Sequence, residues 1–271
     1  MNTNTQLSGS TLVIGGTGKT GKRVIQGLRK REVQVRLGSR TAELAFDWED
    51  QATWHTALKG IDSVYLTYYP DLAVPKAPSD ITEFCKIALH YGVQHIVLLS
   101  GRGEPAAQQC EDIVKASGIA WTIIRASWFN QNFSEGAFCD MVVAGVLALP
   151  ISDVVEPFVD TDDIADVAIE ALTVDGHKNK LYEVTGPRLL SFTDIAEELS
   201  KGLNRKIEFI PISIDAFKNE MIKQNTPADM IDMLLFLFGE VLDGRNSYLS
   251  QGIEDALGRA PKDFSEFVKT L

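Results

Sequence analysis

Two rhythms of apolar and polar positions run through this chain. Short β-branched or alternating runs at 11–15, 33–38, 44–48, 62–67, 95–100 and 120–125 predict strands. Stretches with helical spacing at about 19–31, 51–58, 79–91, 105–117 and 161–173 predict helices. Strand and helix in turn predict an α/β fold, a Rossmann-like doubly wound parallel sheet with helices on both faces, over residues 1–175. Beyond residue 175 the rhythm changes. Leu181–Thr185 and Lys206–Pro211 predict strands, Gly186-Pro187 a turn, and Ser191-Phe-Thr-Asp194 a helix start. Ile214–Leu271 predicts several helices broken at Pro227, Gly244 and Pro261. Residues 176–271 are therefore expected to form a smaller, mostly helical substrate-binding cap, interleaved with the first domain rather than independent of it.

The first predicted strand runs into Gly15-Gly-Thr-Gly18-Lys-Thr-Gly21, which opens the first predicted helix. Such a turn lets backbone N–H groups approach a pyrophosphate, and the helix dipole favours the negative charge. Gly18-Lys19-Thr20 also ends like a phosphate-binding loop of the Walker type. That motif needs a glycine five residues before Gly18, where this chain has Val13. Gly15, Thr17, Gly18, Lys19, Thr20 and Gly21 are accordingly expected to bind a dinucleotide.

The end of the second strand selects the cofactor. An acid there binds a ribose 2′-hydroxyl, whereas this chain has Ser39 and Arg40. An arginine suits a 2′-phosphate, so the expected cofactor is NADP(H). Charge agrees: residues 1–40 carry eight Lys and Arg against the single acid Glu32, in a chain of net charge −11. Strand ends also nominate Asp47, Trp48, Thr67 and Ser100 around the cofactor.

The acidic balance excludes nonspecific nucleic-acid binding. Three scattered cysteines and a polar start without a signal pattern suit a cytoplasmic protein. Four dispersed histidines give no metal site, and Asp160, Asp162 and Asp163 are expected to cap a helix instead. Met230–Phe238 is too short to span a bilayer. No membrane partner is expected, and either a monomer or a homodimer is.

Several segments together resemble the NmrA-like, atypical short-chain dehydrogenase/reductase family. They are Gly15–Gly21, Val35–Arg40, Ile96–Ser100, Trp121–Arg125 with Asn132, Phe158–Asp163 and Tyr182–Pro187. Phe46-Asp-Trp48 and Ser127–Glu135 resemble the branch of ergot-alkaloid-type reductases, the festuclavine and agroclavine dehydrogenases, and their bacterial relatives. The resemblance implies a Rossmann fold, NADP(H), and roles from small-molecule reduction to redox sensing or ring formation without redox change.

One feature of ordinary short-chain dehydrogenases is missing. None of the six tyrosines is followed four residues later by lysine. The pair that lets a phenol shuttle a proton to a carbonyl is absent. Hydride transfer to a cyclic iminium or a conjugated quinone-like aromatic needs less acid help, and such a reductase is the expected activity. Tyr68, Ser100, Glu104 and Asn130 are the candidate catalytic groups. Tyr69, Arg102, Trp128, Phe129 and Phe133 are expected to bind a flat aromatic substrate.

Overall fold

The computed structural model describes residues 9–136, 138–151 and 153–271. The polar first residues, expected to be frayed, lie outside the described part up to Ser8. The first apolar run forms β1 (Ser10–Ile14), and the helix after the glycine turn is α1 (Lys19–Lys30). Next come β2 (Gln34–Gly38), α2 (Ala52–Leu58), β3 (Ser63–Leu66) and α3 (Ala77–His90). β4 (His95–Gly101), α4 (Pro105–Ala116) and β5 (Ala120–Ala126) follow. The parallel sheet has six strands in the order β2-β1-β3-β4-β5 and then Lys180–Val184. The predicted Rossmann-like sheet is present. Because the chain passes from β1 to β2 on one side and returns as β3 on the other, the strand order reverses at β1/β3. Sheets of this kind bind ligands beyond the carboxyl ends of their strands at that reversal.

The predicted strand at 44–48 does not form. Asp47 makes only an isolated bridge to Asp50. Phe46 and Trp48 are both buried, in one aromatic cluster with Trp54 and Phe84. The indole N–H of Trp54 donates to the Asp47 carbonyl at 2.6 Å, and that of Trp48 to the Thr67 carbonyl at 3.2 Å. The apolar alternation that imitates a strand comes from a loop folding its rings inward.

Five times the chain passes between two compact units. The first contains residues 1–126, 161–184 and 251–259; the second contains 127–160, 185–250 and 260–271. Residues 127–160, grouped with the first domain on sequence rhythm, cluster with the second unit. Residues 176–184 and 251–259, grouped with the cap, cluster with the first.

Within the first unit, α1 runs beside the helix Thr161–Thr173, joined by Arg23–Asp162 at 2.6 Å and Arg31–Glu170 at 2.7 Å. Asp163 pairs with Arg259 at 2.8 Å. Asp162 and Asp163, expected as caps, thus hold arginines from the first turn of their helix. Part of the basic cluster at 1–40 is spent the same way, since Arg36 Nη1 donates to the carbonyls of Ala57 and Lys59.

The second unit builds two small sheets. Val146–Leu149 pairs in parallel with Glu208–Pro211, and Val155–Glu156 pairs antiparallel with Leu190–Ser191. The predicted helix start at Ser191 is a capping box, in which the Ser191 hydroxyl accepts from the Asp194 amide and the Asp194 carboxylate accepts in return. A phenylalanine cluster of Phe133, Phe138, Phe158, Phe192 and Phe264 forms its core. No helix of the described residues is long and apolar enough to cross a membrane.

His95, at the amino end of β4, gives the fold an acid sensitivity. Thr122 spends its proton on the His177 carbonyl at 2.7 Å, so His95 Nε2 donates to Thr122 at 2.9 Å and Nδ1 carries no proton. Burial, with smaller contributions from Lys178 and His177, pushes the imidazole down to about 4. The unfolded chain takes this proton more readily. Stability is therefore retained above about pH 6.5 and lost as pH falls towards 4, by roughly 3 kcal/mol from this group. Urea titrations over that range should show a shallower acid slope in His95→Phe. An unchanged slope would assign the effect elsewhere.

Candidate active site

At the carboxyl edge of the first unit, the glycine turn leaves β1 with Gly15 at φ 69°. The amide of Gly15 donates to the Gly38 carbonyl at 3.0 Å, and that of Gly18 to the Gly15 carbonyl at 2.8 Å. Gly21 lies so close beneath this turn that a Cβ there would collide with the Gly15 carbonyl and stand 2.8 Å from Gly16 Cα. Gly18 caps α1 without a side-chain acceptor, and the first turn holds no acid. Thr17 and Gly18 are exposed, while Thr20 is buried. A positive helix end and a missing Cβ fit a pyrophosphate.

Arg40 is exposed beyond β2, with its guanidinium 5.9 Å from the ring centre of Tyr69. Tyr69 is 62% exposed, so the pair forms an open cation–aromatic corner suited to a 2′-phosphate. The adjacent Ser39 carbonyl accepts from the amides of Ala42 and Phe46. Other nominated residues turn inward. The Thr67 hydroxyl donates to the Ile14 carbonyl at 3.1 Å and buttresses the glycine turn. Asp47 accepts from the Glu49 amide within its own loop, and Trp48 is packed in the aromatic cluster.

Two candidate catalytic hydroxyls are committed to carboxylates. Tyr68 donates to Asp80 at 2.6 Å, and burial followed by the Asp80 interaction pushes its phenol above the ordinary range. A phenol so held stays protonated and does not shuttle. Ser100 donates to Glu111 at 2.8 Å. The Arg102 side chain, expected to meet substrate, is buried with its Nε donating to Glu183 at 2.9 Å.

Glu104 is the group whose chemistry differs most from its sequence reading. As a loop acid at the start of α4 it is expected to act as a base or to steady a cation. It is only 7% exposed and shares a hydrogen bond with Asp71. Burial, then the Asp71 charge, push its carboxyl up to about 9, and burial also raises Asp71. Both shifts run upward, so the Glu104–Asp71 pair keeps a proton beyond the usual carboxylate range, which suits Glu104 to hold a proton more than to take one. Its carboxyl lies against Gly101, where a side chain would displace it.

The remaining candidates belong to the second unit. Trp128 is half-buried and stacks with Phe138 at 6.2 Å between ring centres. Phe129 is also half-buried, with a backbone bridge to Val159. Phe133 is 1% exposed inside the phenylalanine cluster, so it serves the core instead of a ligand. Asn130 is fully buried; its backbone N–H donates to the Val159 carbonyl at 2.9 Å, and neither Oδ1 nor Nδ2 of its side chain has a hydrogen-bond partner.

Sequence reasoning passed over Asp71, Asp80 and Glu111, and met Arg125 only as the end of the Trp121–Arg125 motif, with no role. A signal exists for Glu111. The buried positions of α4 are Ala107, Cys110, Glu111 and Val114, so a charge falls on the apolar stripe of a helix.

A model described as the NmrA-like family matches residues 106–268. This chain belongs to the NmrA-like family. A second model, described as NAD(P)H-binding, matches residues 15–175, the part containing the glycine turn and Arg40. Among relatives of this NmrA-like chain, agroclavine dehydrogenase of Claviceps fusiformis is 29% identical, over 95% of each chain. An NAD(P)H azoreductase of Xenophilus azovorans is 27% identical, over 95% of this chain and 96% of its own. The solved triphenylmethane reductase of a Citrobacter species, complexed with NADP(H), shares the fold with a TM-score of 0.82 at 20% identity. It covers 96% of this chain and 99% of that one.

Proposed function

We propose that this chain, an NADP(H)-dependent oxidoreductase of the NmrA-like family, reduces a cyclic iminium or a conjugated quinone-like aromatic molecule. The observation that carries this reading is the state of the hydroxyls at the carboxyl edge. Tyr68 is bound to Asp80 and Ser100 to Glu111, and no tyrosine has a lysine partner four residues on. The tyrosine–lysine pair of ordinary carbonyl reduction is missing from the sequence, and the Tyr68 phenol is held by Asp80. Two relatives are named as an agroclavine dehydrogenase and an NAD(P)H azoreductase, which supports reduction of an organic acceptor other than a simple carbonyl.

The glycine turn and the amino end of α1 hold the pyrophosphate, and Arg40 holds the 2′-phosphate. Bound there, the cofactor supplies hydride. An iminium acceptor already carries its charge and needs nothing more from the protein than position. A neutral quinone-like acceptor needs a proton as well, and Glu104 holds one beside Asp71.

Following reduced-nicotinamide fluorescence with a panel of cyclic iminium, quinone and enone compounds tests the activity. Transfer of deuterium from labelled nicotinamide to product is expected with one class. Saturable NADPH binding with no consumption across the panel would favour a sensor. For the cofactor, Arg40→Ala should weaken NADPH binding roughly ten- to a hundredfold, as expected for loss of a charge-assisted contact, and leave NADH nearly unchanged. Equal losses for both would sink the 2′-phosphate assignment.

A further inference from the structure

The Ser100 hydroxyl has one proton, and Glu111 takes it at 2.8 Å. Glu111 is fully buried on α4, and Arg125 on β5 grips both its oxygens, Nε to Oε1 at 2.9 Å and Nη2 to Oε2 at 2.6 Å. A fork on both oxygens is the geometry of an ionised carboxylate, which accepts and cannot donate. Lys115 adds a second cation at 3.7 Å, and Glu183 stands 3.8 Å from the far side of Arg125. The direction of the Ser100–Glu111 hydrogen bond is thereby fixed. A serine oxygen that has given up its proton keeps acceptor capacity alone.

We infer that Glu111 and Arg125 are positioning residues that lock Ser100 as a hydrogen-bond acceptor, so that the site selects a ligand group presenting an N–H or O–H to it. This rests on the proposed reading that the carboxyl edge holds the cofactor and acceptor, since Ser100 stands at the end of β4. A carbonyl oxygen placed against Ser100 meets lone pair with lone pair. A carboxamide NH2, or an N–H or O–H of the acceptor, completes the bond. Sites built to pair with a donor reject analogues that lack it far more strongly than apolar pockets reject a methyl group.

Two sources can supply the donor, the nicotinamide carboxamide or the acceptor, and one experiment separates them. The first arm measures equilibrium binding of NADPH and of its 3-acetylpyridine analogue, in which a methyl replaces the carboxamide NH2. The second compares KM for acceptors with and without an N–H or O–H. Wild type is compared with Ser100→Ala, Glu111→Gln and Arg125→Lys.

With the carboxamide as donor, wild type should prefer NADPH to the analogue by roughly tenfold or more, and Ser100→Ala should bind the two alike. With the acceptor as donor, cofactor affinities stay level and Ser100→Ala loses discrimination between the paired acceptors, in KM more than in kcat. In either case Glu111→Gln, whose amide can donate to Ser100 and turn its proton outward, should lose the same discrimination. Arg125→Lys, which keeps a cation on the carboxylate, should retain it. Discrimination unaltered in Ser100→Ala overturns the inference. Glu111→Gln that is merely less stable, with discrimination intact, reduces Glu111 to a structural role and overturns it too. Ser100→Ala leaves the Glu111–Arg125 pair whole, so its result does not depend on whether Glu111→Gln folds. Absence of NADPH binding in the wild type overturns the functional reading itself, a result distinct from NADPH binding that ignores Ser100.

Discussion

Glutamine in place of Glu104 makes this protein more stable at neutral and alkaline pH. Glutamine has the shape of a protonated carboxyl and can donate to Asp71 as the acid does. The Glu104 carboxyl is pushed from its usual 4.5 to about 9 by burial and by Asp71. Below the unfolded value the side chain is protonated in both states and costs nothing. As pH rises from 4.5 towards 9, the unfolded chain releases a proton that the folded chain keeps, so native stability falls. At pH 7 the loss is on the order of 3 kcal/mol, and the variant escapes it. Urea unfolding of both proteins from pH 4 to 9 should give curves that meet at the acid end and separate steadily above it. A constant offset, or a less stable variant at pH 8, would show that Glu104 is ionised in the native state. The same variant should lose turnover with neutral quinone-like acceptors and keep it with iminium ones, since only the former need the proton.

Gly21→Ala damages both binding and folding. The added methyl points at the Gly15 carbonyl and at Gly16 Cα, which are backbone atoms and cannot rotate away. The turn must open or α1 must shift. Overpacking of this kind costs about 1–3 kcal/mol, and the amides that face the pyrophosphate move with it. NADPH affinity should fall at least roughly tenfold, with NADH falling equally, because the pyrophosphate is common to both. Gly239→Ala is the control. Its position has nothing within 4 Å of a new Cβ and no positive φ, so a small change is expected. Calorimetric binding together with thermal unfolding distinguishes the two. An unperturbed Kd in Gly21→Ala would mean that the pyrophosphate lies elsewhere.

The parts legible from sequence are those written in consecutive residues. β1, the glycine turn and α1 declare themselves within a dozen positions, and Arg40 follows at the end of the next strand. The capping box at Ser191 is similarly local. Partnerships across long separations are not written this way. Apolar rhythm shows which face of α4 is buried, yet it does not show that Glu111 on that face meets Arg125 and Ser100. It shows that Tyr68 and Glu104 follow the ends of β3 and β4, but leaves open whether each faces outward or is held by Asp80 or Asp71. At Phe46 and Trp48 a loop and a strand give the same alternation, because either can bury every second ring. Phe133 lies in a motif of the family branch and still belongs to the core, since the ring packs against Phe158 and Phe264 from distant segments.

The five passages of the chain between its two units bear on how such a protein can be altered. A half that hung from one joint could be exchanged by a single recombination. Here a cut near residue 175 strips Lys180–Val184 from β5 and leaves its row of backbone donors and acceptors bare. It also removes Gly252, whose close approach to the Glu183 backbone seats the helix Gly252–Leu257 on that strand. Exchange of either unit therefore needs cuts at several places in the chain, and alteration comes more readily by substitution within segments already in place.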